Sequence, residues 1–333
     1  MPPGERVLDW AASSINATVL EVANLKPHSG PWRLHVRQGA KSSNVVLRLV
    51  VPGWIGADLI ATGAAALRVA ERHGLAAPRL LACDLDGCQA GEVATLETML
   101  DGSSALPPHV SAERLRAAGA AIAKVHAIPF EPQEHLPLRI RPTQVDDRAM
   151  ERRWATAFQA ATEDEKPAVI DALSELTGWS HDHAQEVAMG DPATGLLQLA
   201  DDRIRDIPRP QGQSVFLHGD IWGGNMLWEN DTCRALIDWK TAGAGDPGVD
   251  LGELRMQMAH QYGLWAAIHV QEGWEDESGR PASNVAYWDL VAALNTPTVM
   301  NGWPGFDERG GRLDAQSVTR RRDEFLRAAL DQL

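Results

Sequence analysis

Phe216-Leu217-His218-Gly219-Asp220-Ile221-Trp222-Gly223-Gly224-Asn225-Met226-Leu227-Trp228 carries more structural information than any other stretch of the 333-residue chain. A short apolar run ends at Asp220, in a loop that holds Gly219, Gly223 and Gly224. Those glycines let backbone approach a ligand closely and take dihedrals that other residues avoid. After Asn225, Met226 to Trp228 begins a strand, and the turn Glu229-Asn230-Asp231 sends it back as Arg234 to Ile237. Asp238 closes the return strand. Strand, turn and strand therefore bring Asp220, Asn225 and Asp238 to one place. The segment Gly245-Asp246-Pro247-Gly248-Val249-Asp250-Leu251 follows.

Three oxygen-bearing side chains of this kind suit phosphoryl transfer. That reaction passes through a loose transition state, so a protein mainly positions groups and neutralises charge. An acceptor hydroxyl needs a carboxylate within hydrogen-bond reach. Magnesium takes one or two protein oxygens and fills its shell with phosphate and water.

Working outward, the first hundred residues read as strands with one helix. Val19 to Ala23, Trp32 to Arg37 and Asn44 to Val51 form an expected antiparallel meander, and Arg79 to Cys83 and Val93 to Met99 add two strands. Asp58 to His73 is alanine-rich and stops at Gly74, a helix with a glycine after its end. Beyond Leu100-Asp101-Gly102-Ser103-Ser104 the chain is mostly helical, with segments near 111–126, 149–162, 165–177, 180–189, 251–262, 264–273, 286–294 and 318–333. The expected fold class is α+β: residues 1–100 as a small antiparallel-sheet lobe with one helix, and 101–333 as a larger, mostly helical lobe.

The pattern H-G-D-x4-N, with Ile-Asp placing an acid at 238, resembles the catalytic and metal segments of the aminoglycoside phosphotransferase family, which shares the protein-kinase-like two-lobed fold. The likeness is detailed over 216–254 and loose over 15–300. It implies an enzyme that moves the γ-phosphate of ATP, or of GTP, to a hydroxyl of a small acceptor with Mg2+, the acceptor being an antibiotic, an amino sugar or an amino alcohol. It implies Asp220 as catalytic base, Asn225 and Asp238 as metal ligands, and His218, Asp246 and Asp250 as structural support. For the nucleotide, it points to Ser29 and Gly30 in a turn over the phosphates, Arg48 where the family has a lysine, and Glu97 and Met99 near the adenine edge. The helix position that carries the lysine's glutamate partner in the family is Gly63 here. That gap motivates an alternative, a non-catalytic kinase-like nucleotide-binding protein. Trp222, Glu253 and Trp303 are candidates to line the acceptor site. Lys240, one of only five lysines, reads as a solvated side chain.

Composition narrows the classes. A formal net charge of −14 argues against a general nucleic-acid binder, and it is compatible with a cationic acceptor. Three cysteines without a metal-site spacing point to a reducing compartment. The first ten residues lack the basic-then-apolar pattern of a signal peptide, and no run of about 18 apolar residues appears. A cytoplasmic location is expected.

Overall fold

A computed structural model describes residues 2–26, 30–52, 55–141 and 145–333, with 145 and 146 as backbone only. The chain forms two compact units, Met1–Ala105 with Ala121–Arg139 and Ser214–Gly245, and Leu106–Ala120 with Ile140–Gln213 and Asp246–Leu333. The stretch from Phe216 to Asp238 thus belongs to the same unit as the first hundred residues.

In the first unit, α1 (Glu5–Ser14) precedes β1 (Thr18–Asn24), β2 (Trp32–Gln38) and β3 (Lys41–Leu49). Next come α2 (Ala57–Arg72), β4 (Leu80–Asp84) and β5 (Ala94–Thr98). The five strands form an antiparallel sheet in the order β1-β2-β3-β5-β4. Side chains alternate between the two faces of a strand. Leu34, Val36, Val45, Leu47, Ala94 and Leu96 accordingly share one buried face, and Val7, Trp10 and Ala11 of α1 pack against it. This first helix was not expected, so the first hundred residues hold two helices rather than one. Its N-terminal residue Gly4 provides no side-chain cap, and packing on the sheet rather than local signals holds the helix in place. Arg48, Thr95 and Glu97 lie on the opposite face, where they line a cavity of about 420 Å³ together with Ile60, Gly63 and Leu67 of α2.

The α3 helix (Ala112–His126) runs from the second unit into the first. The rest of the first unit is a small sheet of β6 (Leu138–Arg139), β10 (Gly243–Gly245) and β7 (Val215–Leu217), and a hairpin of β8 (Met226–Glu229) and β9 (Thr232–Leu236).

The second unit is helical: α4 (Val145–Ala160), α5 (Lys166–Thr177), α6 (His181–Ala188), α7 (Gly195–Asp206), α8 (Gly248–Tyr262), α9 (Leu264–Ser278), α10 (Val285–Leu294) and α11 (Ala315–Leu330). Helix α7 was not expected, although Thr194 caps it by accepting a hydrogen bond from the Leu197 amide. Its Leu197 and Ala200 join Met256, Ala259, Leu290, Phe325 and Leu326 in one core. No helix among the described residues is long and apolar enough to cross a membrane.

His260 of α8 is fully buried, with Nε2 at 3.0 Å from Gln257 Oε1. Burial, with Arg321 and Arg322 nearby, lowers its pKa from 6.5 to about 3. A depressed histidine contributes stability that is complete above its unfolded pKa and is lost as pH falls below it. Between pH 6.5 and 5 this one group should remove about 2 kcal/mol. Thermal melts at pH 7 and 5 should therefore show a smaller acid shift for His260→Gln than for the parent, and parallel shifts would count against the assignment.

Candidate active site

The loop after β7 is built by its neighbours. Gly219 has φ +81°, and a Cβ there would stand 2.1 Å from the Thr241 carbonyl oxygen, so only glycine lets the chain turn at this point. His218, wholly buried, braces the turn. Its Nε2–H donates to the Ile237 carbonyl at 2.9 Å and its Nδ1 accepts from the Asp220 amide at 3.3 Å. This fixes the neutral tautomer and ties the loop to the segment after β9 that carries Asp238. The ring also packs on Trp239, with centroids 4.5 Å apart.

Asn225 ends a single 3-10 turn, Gly223–Asn225, and is buried. Its Nδ2 donates to the Asp220 carbonyl at 2.7 Å, which leaves the amide oxygen as the group it can offer a cation. The hairpin turn at Asn230 (φ 54°) then returns the chain. Leu236 is the last strand residue, and Asp238 sits beyond it with φ 68°. A non-glycine residue in this left-handed region is held there by its surroundings at some cost in strain.

Four more contacts complete the site. Arg48 Nη1 meets Asp238 Oδ1 at 3.0 Å, and Arg48 Nε meets Glu97 Oε1 at 2.9 Å. Lys240 Nζ bridges two acids, at 2.7 Å from Asp238 Oδ2 and 2.9 Å from Asp220 Oδ2. Burial opposes the charge on Asp238, yet Arg48 and Lys240 hold its carboxyl far below the usual range. Burial likewise opposes the charge on Lys240, and Asp220 and Asp238 outweigh it, so the ammonium keeps its proton.

The partner of Arg48 is thus Glu97 on a neighbouring strand. Arg48 pairs across from Thr95 and Glu97 across from Val46, which makes Arg48 and Glu97 diagonal neighbours on one sheet face. Gly63 of α2 has a different role. It lies beside the Lys240 backbone, where a Cβ would meet the Lys240 Cα at an ordinary contact distance of 3.8 Å.

Gly30 lines the same cavity as Arg48, Glu97 and Lys240, whereas Ser29 lies outside the described residues. Met99 is exposed just past β5. The Trp222 ring lies over Gly224, where a Cβ would stand 2.3 Å from it. Asp246, Asp250, Glu253 and Trp303 belong to the second unit. Asp246 Oδ1 accepts from the Gly248 amide at 2.8 Å, and Asp250 is buried in the first turn of α8. Glu253 accepts from Gln257 and Asn295, and Trp303 packs edge-on against His260 and on the helical core.

The sequence pointed to neither the Arg48–Glu97 pair nor the position of Lys240. The signal for Lys240 was its spacing: it lies two residues past Asp238 in a chain with five lysines.

A five-stranded antiparallel sheet, a glycine-rich loop bearing Asp220 and Asn225, and a hairpin ending at Asp238 define a kinase-like α+β protein. The chain belongs to the phosphotransferase enzyme family, whose profile matches residues 27–282. Viomycin phosphotransferase from Streptomyces vinaceus is 28% identical over 144 residues, covering 38% of this chain and 47% of that protein. The chain therefore spans about half the length of that curated relative. Macrolide 2′-phosphotransferase from Brachybacterium faecium is 18% identical with a TM-score of 0.53, covering 86% of this chain and 87% of that one. A spectinomycin phosphotransferase solved in complex with ADP and spectinomycin is 11% identical with a TM-score of 0.56, covering 99% and 98%. At these identities the two structures show a shared fold.

Proposed function

We propose that this chain transfers the γ-phosphoryl group of ATP to a hydroxyl of a small molecule, with GTP as the alternative donor. The observation that carries the proposal is the charge arrangement around Lys240. Two carboxylates, Asp220 and Asp238, are held within one lysine's reach, and Arg48 closes the other side. Asp220, with 39% of its side chain exposed, accepts the proton of the acceptor hydroxyl. The hydroxyl oxygen forms a bond to the γ-phosphorus as the bond from that phosphorus to the β–γ bridging oxygen breaks, and the electron pair leaves on ADP. Arg48 and Lys240 stay charged next to the acids and face the phosphate oxygens from the cavity they line.

The donor set also suits Mg2+. Asp238 offers an ionised carboxylate and Asn225 an amide oxygen, both hard ligands. Among the described residues no group of three or more His, Cys, Asp or Glu could hold a metal, so phosphate oxygens and water would complete the shell. When bound, the ion neutralises phosphate charge. The proposed use of ATP fits a cytoplasmic location.

Glu97 weakens the alternative of a non-catalytic nucleotide-binding protein, because Arg48 has its carboxylate after all. The family's named members act on unlike antibiotics, so membership alone does not select the acceptor. The test is a coupled ADP-release assay with ATP or GTP across antibiotics, amino sugars, amino alcohols and hydroxy acids. Turnover with at least one acceptor, abolished by removing Mg2+, is expected; nucleotide binding without turnover on any of them would sink the proposal.

Arg48→Ala should raise KM for ATP about tenfold with a smaller loss in kcat. Arg48→Lys should recover only part of this, since an ammonium cannot span Glu97 and Asp238 as the guanidinium fork does. Steady-state kinetics with a thermal melt of each variant decides the point, and full recovery by lysine would contradict it.

A further inference from the structure

Lys240 Nζ lies 2.7 Å from Asp238 Oδ2 and 2.9 Å from Asp220 Oδ2. The other oxygen of Asp238, Oδ1, accepts from Arg48 Nη1 at 3.0 Å. The carboxylate proposed above for Mg2+ thus has a fixed cation on each of its oxygens. Arg48, Asp220, Asn225, Asp238 and Lys240 all belong to one compact unit.

Other contacts hold the arrangement. The Ile237 amide donates to the Asn225 carbonyl at 2.9 Å. The Ala242 amide donates to the Trp239 carbonyl at 3.2 Å and closes the turn that carries Lys240. Arg48 is fixed in turn by Glu97. The Lys240 side chain is 22% exposed and that of Asp238 13%, so salt screens this pair less than one on the open surface.

Two carboxylates in one small volume repel unless a cation stands between them. The Lys240 ammonium fills that place with a single charge. A divalent ion on Asp238 would meet it as a like charge. The lysine is tethered to the same chain, so it competes at an effective concentration of about millimolar or more. Phosphate oxygens change this balance, because they give the ammonium strong acceptors of their own.

We propose that Lys240 is the resident counter-ion of the Asp220–Asp238 pair. It keeps free divalent ions off Asp238 and yields that carboxylate when nucleotide phosphate draws the ammonium away, so that metal and nucleotide enter together. The coupling to nucleotide rests on the phosphotransferase reading above; the exclusion of free metal does not.

Titration of the full chain with MnCl2 in the absence of nucleotide, with unbound Mn2+ read by electron paramagnetic resonance, tests the exclusion. Lys240→Met should bind Mn2+ about tenfold more tightly than the parent. Loss of fold does not mimic a gain of this kind. Lys240→Arg, which keeps the charge, should stay close to the parent. A thermal melt checks each variant, and Lys240→Gln, also neutral, takes the place of a methionine variant that does not fold. Equal binding by the parent and the neutral variant, no binding by either, or an arginine variant as tight as the methionine one would each overturn the proposal. So would micromolar binding of free Mn2+ by the parent, a result that needs no variant. The coupling is read by calorimetry with the ATP analogue AMP-PNP, whose binding to the parent Mn2+ should tighten by at least about tenfold; no tightening would overturn it. Equal Mn2+ binding in a chain that turns over an acceptor would leave the phosphotransferase reading standing without this inference. Tighter Mn2+ binding by Lys240→Met with no turnover on any acceptor would instead remove that reading.

Discussion

Asp220→Asn should lower kcat by about a thousandfold, in the range by which a positioned general base accelerates proton transfer. The asparagine keeps the shape of the side chain, and the Asp220 main chain stays fixed by His218 and Asn225. What is lost is the carboxylate proposed to take the acceptor's proton and one of the two acids that hold Lys240. Asp238 still grips that lysine at 2.7 Å and Arg48 at 3.0 Å, so KM for ATP should change no more than about twofold. Single-turnover kinetics with a saturating acceptor measures the chemical step directly. A variant that retains more than about a tenth of the parental rate would show that Asp220 is not the base.

The second large effect is on stability. Arg255 and Asp289 join α8 to α10 in a buried two-bond pair, at 2.8 and 2.7 Å. Arg255 also donates to the Ala267 carbonyl and to Gln271, both at 2.8 Å. Burial pushes the Asp289 carboxyl up while Arg255 pulls it down. Asp289→Ala leaves a guanidinium without its counter-charge in the helical core, which costs about 3–5 kcal/mol. For a chain of this size that corresponds to a melting temperature lower by roughly 10 °C. The double change Arg255→Met/Asp289→Leu should recover most of the loss, because two apolar groups need no partner. Calorimetry on the three proteins measures both effects, and a double variant no more stable than Asp289→Ala would show that the pair was not the cause.

Local pattern made most of the fold legible. β3 and β5 alternate between core and cavity, and the sequence placed both within a few residues of their observed ends. The β8–β9 hairpin was readable because its turn residues and apolar runs lie close together in the chain. Helix α1 was not, because Gly4 gives no capping signal and the helix depends on a sheet formed later in the sequence. The Arg48–Glu97 pair was hidden for a related reason. Its partners lie 49 residues apart and meet only through strand register, and Gly63 drew attention to a helix that does not supply the acid.

Seating Arg48 and Glu97 on strands of one sheet has a mechanical consequence. A salt bridge between a strand and a mobile helix can be opened by rotating the helix, which gives a kinase an off state. Here both partners ride on the same hydrogen-bonded ladder, so no rigid-body displacement of α2 can separate them. On the phosphotransferase reading proposed above, Arg48 would keep its carboxylate partner whether or not substrate is present, and turnover would follow supply of the two reactants instead of a conformational signal.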